Sequence, residues 1–235
     1  MDAIKTFTVD RSVFGKRFTV TPPPCALTKG ETEADASHSL VRAGAFPPML
    51  TMHAGLDVAS PVIAVSRLPL FSKHFTIGLG DASLDAPPDR VCWEDMRMAN
   101  RSGTSHRWSL HLPTLPLGSP RQSTADTSAM SPQTSPPHGR RDGERKSFLW
   151  KRTRHVAVDG MNVAAWRPQN YKLVEEEPPD VLTKGGDCHW PRVLAVFTST
   201  GGKAGCGRLQ LNVQCGPVFE TMVIMTCLTL LWAGR

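Results

Sequence analysis

The C-terminal stretch GPVFETMVIMTCLTLLWAGR, residues 216–235, is the most hydrophobic part of the chain, and its reading decides what the rest can be. From Thr221 to Ala233 it carries 13 consecutive uncharged residues. A helix that spans a bilayer needs about 20. Reaching back to Leu209 lengthens the run but takes in Pro217 and Glu220, which do not suit a span. Residues 208–235 therefore read as an apolar tail that is buried or prone to aggregate. The alternative is a tail anchor that meets a membrane through 218–233, with Arg235 emerging on the far side.

Immediately upstream, RVLAVFTSTGGKAGCGRL (residues 192–209) is an apolar run followed by four glycines. The run at 193–197 predicts a strand. Thr200, Gly201, Gly205 and Gly207 match T-G-x-x-x-G-x-G, which resembles the cofactor-binding turn of short-chain dehydrogenases, and Arg208 extends the likeness. Glycines let a backbone approach a pyrophosphate, and a helix N-terminus behind them offers unpaired N–H groups. The resemblance implies a nucleotide-binding fragment with those four residues as its contacts. It covers residues 193–208 alone. Gly216-Pro217 leaves little room for the helix, Tyr171 lies upstream rather than downstream, and position 175 is Glu where such enzymes carry Lys. No dehydrogenase active site can be assembled, so no catalytic residue and no cofactor are assigned.

The whole chain has 235 residues, a net charge of +6, 20 prolines, six cysteines and one tyrosine. The shortage of Ile and Tyr argues against a β-rich fold. Prolines spread along the chain argue against long helices and central strands. The cysteines form no CxxC pair and no secretory signal precedes them, so they read as reduced thiols of an intracellular, non-secreted protein. Cys188, His189, Cys206 and Cys215 have no established zinc-ligand spacing, and His106 and His111 are five apart; no metal site is expected.

The expectation for the fold is a largely irregular, low-order chain with short β-hairpins, one or two short helices and no compact fold. Residues 1–112 read as a weakly structured mixed α/β segment, with strands at 4–9 and 17–21. A helix is expected over 31–43, where Thr28 and Glu31 have capping-box spacing, and a brief one after Asp89, with Cys92, Met96 and Ala99 on one side. Residues 113–147 read as a disordered, low-complexity Pro/Ser/Thr-rich linker. Residues 148–207 read as a basic segment with a small β region. Within it, Asp159-Gly160 predicts a hairpin over 153–166 that pairs Val158 with Met161 and Val156 with Val163.

GRRDGERKSFLWKRTRH, residues 139–155, carries two basic clusters at nuclear-import spacing. Arg140, Arg141, Lys151, Arg152 and Arg154 are the candidates for an anionic partner or nucleic acid along 140–154, with Phe148 and Trp150 available to stack on bases. The functional expectation is a non-enzymatic protein, either an interaction chain or a reading frame without a selected biochemical role. A nucleotide-binding fragment and a tail-anchored protein are the alternatives, and nucleus or membrane the corresponding compartments.

Overall fold

Among the described residues no proline interrupts a strand. The structure, a computed structural model, describes residues 5–12, 17–23, 39–44, 49–69, 72–80, 91–113, 143–162, 169–176, 192–200 and 206–233. Among them the chain forms twelve strands and then one helix. The strands are β1 (Lys5–Arg11), β2 (Arg17–Thr21), β3 (Ser39–Gly44), β4 (Met49–His53), β5 (Val62–Arg67) and β6 (Phe75–Leu79), then β7 (Cys92–Met98), β8 (Ser105–Pro113), β9 (Gly143–Arg152), β10 (Tyr171–Glu175), β11 (Val193–Ser199) and β12 (Gly207–Leu211). The helix is α1 (Pro217–Ala233). Pro113 is the last residue of β8 and Pro217 the first of α1, positions where a fixed φ and a missing N–H do no harm.

Each strand pairs antiparallel with its neighbour in sequence, and β12 returns to pair with β1, closing a barrel. At the closure Lys5 faces Leu211, Phe7 faces Leu209 and Val9 faces Gly207. Closure pairs the first strand with the last, so neither β1 nor β12 is left as an open sheet edge. Alternation then sorts the side chains: Phe7 and Val9, Phe18 and Val20, and Phe148 and Trp150 are buried at spacing two.

An eight-stranded barrel can fill its interior with side chains alone, whereas twelve strands enclose a wider lumen that needs a filler. Here the filler is α1, which is about 25 Å long at 1.5 Å per residue. Residues from Met222 to Leu231 are buried around the whole circumference of the helix. A helix that is apolar all round has to be buried, in a membrane or in a core. Phe219 packs on the rings of Trp108 and Phe148, at centroid distances of 6.1 and 5.3 Å. Trp150 Nε1 donates to Thr226 Oγ1, and the helix also packs on β5 and β6. Contacts with β5, β6, β8 and β9 place it inside the barrel.

The expectation of an irregular, largely disordered and low-complexity chain is therefore wrong. Proline spacing argues against long strands, but this barrel needs none, its longest strand having ten residues. Its helix lies in the stretch that begins at Pro217 and holds no further proline. Phe, Trp, Val, Leu and Met fill the lumen positions that Ile and Tyr leave vacant. Of the readings of the apolar tail, burial is the one this helix matches. From Met222 to Leu231 its side chains are enclosed by the barrel wall and cannot meet lipid, and among the described residues no helix is long and apolar enough to cross a membrane.

Three local expectations change with it. Residues 39–43 of the expected 31–43 helix belong to β3, paired with β2 and β4; residues 31–38 lie outside the described set. The brief helix after Asp89 is β7 instead. Of the expected linker 113–147, Pro113 and Gly143 face each other at the end of the β8–β9 ladder, so residues 143–147 are strand; residues 114–142 lie outside the described set.

Around Asp159-Gly160 the turn forms, with Met161 N–H donating to the Val158 carbonyl at 2.9 Å and Gly160 at φ 76°. No strand ladder flanks it among the described residues; 163–168 lie outside them. The segment docks on the outer wall instead. Val158 N–H donates to Thr198 Oγ1 and Asp159 N–H to Gln210 Oε1, both at 2.8 Å, while Gln210 Nε2 returns a bond to Asp159 Oδ2 at 2.9 Å. The strap covers β11 at Thr198, within the run Leu194–Ser199 whose successive residues are all buried.

Candidate functional site

Alternation along β7 turns Met96 and Glu94 toward the lumen and Trp93, Asp95 and Arg97 outward. The ladder to β8 holds at Arg97–Arg107 and Met98–His106. Beyond those pairs, toward Glu94 and Ser109, lies a cleft of about 330 Å³. Strand β7 lines it with Trp93, Glu94, Asp95 and Arg97, β8 with Arg107, Trp108 and Ser109, and β9 with Arg145 and Ser147.

Each arginine of the cleft is held by a carboxylate. Arg97 Nη2 meets Asp95 Oδ2 at 2.7 Å, and Arg107 pairs with Glu176, just after β10. Arg145 reaches past β8: its Nη2 donates to Ser109 Oγ at 2.7 Å and to Glu94 Oε2 at 2.8 Å, and its Nε to Ser109 Oγ at 3.1 Å. The Glu94 side chain is only 5% exposed, whereas that of Arg145 is 54% exposed.

The walls and floor are aromatic. A Cβ on Gly78 would lie 2.8–2.9 Å from the Trp93 ring, so that ring rests on bare backbone, and the Arg67 guanidinium sits 4.8 Å from its centroid. Trp108 stacks on Phe148 at 4.5 Å and touches Phe219 of α1. Its Nε1 is buried with no hydrogen-bond partner among the described residues. The floor of the cleft is thus the aromatic cluster that seats the first turns of the helix. Guanidinium groups at such a place suit the planar, two-oxygen geometry of carboxylates and phosphates.

A second cavity, about 300 Å³, lies where the chain turns from β12 into α1. Lys5 Nζ bonds Glu220 Oε2 there at 2.8 Å and ties the first strand to the helix. Nearby, the hydrogen bond to Glu175 at 2.7 Å raises the pKa of Lys146, against some opposing burial. Burial, and then Glu175, pushes the Cys215 thiol up, which keeps it protonated and a poor nucleophile. Among the described residues, no three His, Cys, Asp or Glu side chains are grouped to hold a metal ion.

Of the residues expected to bind a cofactor, Thr200 and Gly207 do not line this cleft. Thr200 and Gly207 flank a hairpin loop: Thr200 N–H and Oγ1 both donate to the Cys206 carbonyl at 2.9 Å, and β12 runs back antiparallel to β11. A strand follows the glycines where the resemblance implies a helix. Gly201 and Gly205 lie outside the described residues. Gly207 has a packing role, because a Cβ there would run into the Phe197 ring and the Thr198 carbonyl oxygen.

The basic segment is divided. Arg140 and Arg141 lie outside the described residues. Lys151 and Arg152 are successive in β9 and so take opposite faces, and Arg154 is exposed just beyond. Phe148 and Trp150 are buried in the lumen and cannot stack on bases, which corrects that expectation. From this segment it is Arg145 that joins the cleft. Sequence reasoning missed Arg97, Arg107 and Glu94; for Arg97 the available signal was Asp95 and Arg97 alternating with Met96 and Met98. Comparison with family models, curated proteins and solved structures finds no match for this chain.

Proposed function

We propose that the protein is a non-enzymatic interaction module that binds an anionic group, phosphate or carboxylate, in the arginine cleft of its outer wall. The observation that supports this most is the convergence of Arg97, Arg107 and Arg145, from three strands, on one cleft, each oriented by a carboxylate of the chain. A guanidinium has five N–H donors, and each ion pair here is made through Nη2. Arg145 Nε and Nη2 also bond Ser109, which leaves Nη1 of each arginine for a ligand. Groups already held in place lose little freedom when the ligand arrives. The helix fills the lumen, so the outer wall is where a partner finds room. The cleft volume falls at the lower end of the roughly 300–1,000 Å³ usual for small-ligand sites.

Trp93, at the cleft and 40% exposed, supplies the readout. Inorganic pyrophosphate and, separately, citrate are titrated into the full chain while tryptophan fluorescence is followed. The expected result is a saturable change that weakens as salt rises and is lost in the double variant Arg97→Gln/Arg107→Gln. No saturable change with either anion up to about 10 mM contradicts the proposal.

A further inference from the structure

The three ion pairs of the cleft are unequal. Asp95–Arg97 is open to water on both sides, with side chains 48% and 65% exposed, so an anion can exchange into it at little cost. Glu176–Arg107 is intermediate. Glu94 differs in kind: its carboxylate comes from the lumen side, alternating with the buried Met96, and water scarcely reaches it. A carboxylate out of water interacts more strongly with its guanidinium than a solvated one does, and gains little hydration when that guanidinium turns away.

We infer that Glu94 is a built-in competitor of the cleft's ligand, holding Arg145 neutralised until an anion of sufficient charge density draws it away. This rests on the reading of the cleft as an anion site. Arg145 is placed for such an exchange. Its guanidinium is half exposed, and its two bonds to Ser109 Oγ keep it at the cleft whichever carboxylate it faces. Glu94 then sets a threshold: weakly charged anions do not displace it, and multiply charged ones do. The consequence for mutation is an inversion of sign. Removing a buried ion-pair partner ordinarily only harms a protein, whereas here removing the charge of Glu94 frees a guanidinium for the ligand.

The test compares full-length wild type, Glu94→Gln, Glu94→Asp and Asp95→Asn in the same titrations with pyrophosphate and citrate. Glu94→Gln is expected to bind about tenfold more tightly, and Asp95→Asn to change affinity by about twofold at most. The gain appears with pyrophosphate alone if the site selects phosphate, and with both anions if it accepts any clustered oxyanion. If Glu94→Gln does not fold, Glu94→Asp carries the same test, because its shorter side chain withdraws the carboxylate from Arg145. Wild-type binding with equal or weaker binding by the Glu94 variants overturns the competitor and leaves the site standing. No saturable binding by any of the four proteins overturns both.

Discussion

Trp150 Nε1 donates a 2.9 Å hydrogen bond to Thr226 Oγ1, and both residues are fully buried. The same hydroxyl donates to the Met222 carbonyl at 2.8 Å, so one oxygen joins the barrel wall to the backbone of the helix inside it. An indole N–H in an apolar core costs stability unless it finds such a partner. Replacing Thr226 with the isosteric Val leaves that donor unpaired. Thr226→Val is expected to lower the unfolding free energy by about 1–3 kcal/mol, read from urea denaturation. An unchanged midpoint would mean that the bond does not hold the helix.

Gly207 separates the two readings of the glycine turn. A glycine needed only for cofactor approach can become Ala in the free protein with little effect on stability. In this structure the added Cβ meets the Phe197 ring and a backbone carbonyl, and backbone cannot rotate away. Gly207→Ala is expected to cost about 1–3 kcal/mol with no ligand present. A thermal midpoint equal to wild type would contradict the packing role.

Ser66 makes the opposite prediction. Its hydroxyl is fully buried and has no hydrogen-bond partner among the described residues. Ser66→Ala removes an unsatisfied polar group, and stability is expected to stay level or rise by up to about 1 kcal/mol. A clear loss in the urea midpoint would show that the hydroxyl is satisfied after all.

His106 brings a pH dependence of defined sign. It faces the lumen side of β8 opposite Trp150, with Nδ1 buried and without a hydrogen-bond partner among the described residues. Burial lowers its pKa below the ordinary 6.5. The unfolded chain therefore takes up the proton first as pH falls. The stability tied to neutral His106 is complete above about pH 6.5 and is lost as pH drops through the lowered folded value. Urea midpoints at pH 7.5 and 5 should fall less for His106→Gln than for wild type; equal falls would assign the acid sensitivity elsewhere.

How much of this was legible in the sequence depends on how far apart the deciding residues lie. Strands β1 and β2 follow local alternation and β11 is a continuous apolar run, so all three were readable. The β7 error has a simple origin: Cys92 and Met96, four apart, share a face in a strand of period 2 and nearly so in a helix of period 3.6. Asp95 and Arg97, alternating outward between them, carried the answer. At β3, acidic residues ahead of an apolar patch imitate a helix start, and pairing with β2 and β4 overrides that preference. Closure could not be read locally at all, since Lys5 pairs with Leu211 near the other end of the chain. The cleft shares that limit. Arg145 was visible as one charge in a basic run, but only strand register brings Arg97 and Arg107 beside it.

The central claim is that the apolar C-terminal segment is a helix enclosed by the barrel, and Cys227 tests it most directly. Its thiol is fully buried in mid-helix, and burial raises its pKa well above the ordinary value. Native protein is treated with iodoacetamide, and the modified cysteines are mapped by mass spectrometry. Cys227 is expected to stay unmodified while the half-buried Cys92 and Cys206 react, and to react fully once urea unfolds the chain. Modification of Cys227 in the native protein as fast as in urea would contradict the enclosed helix.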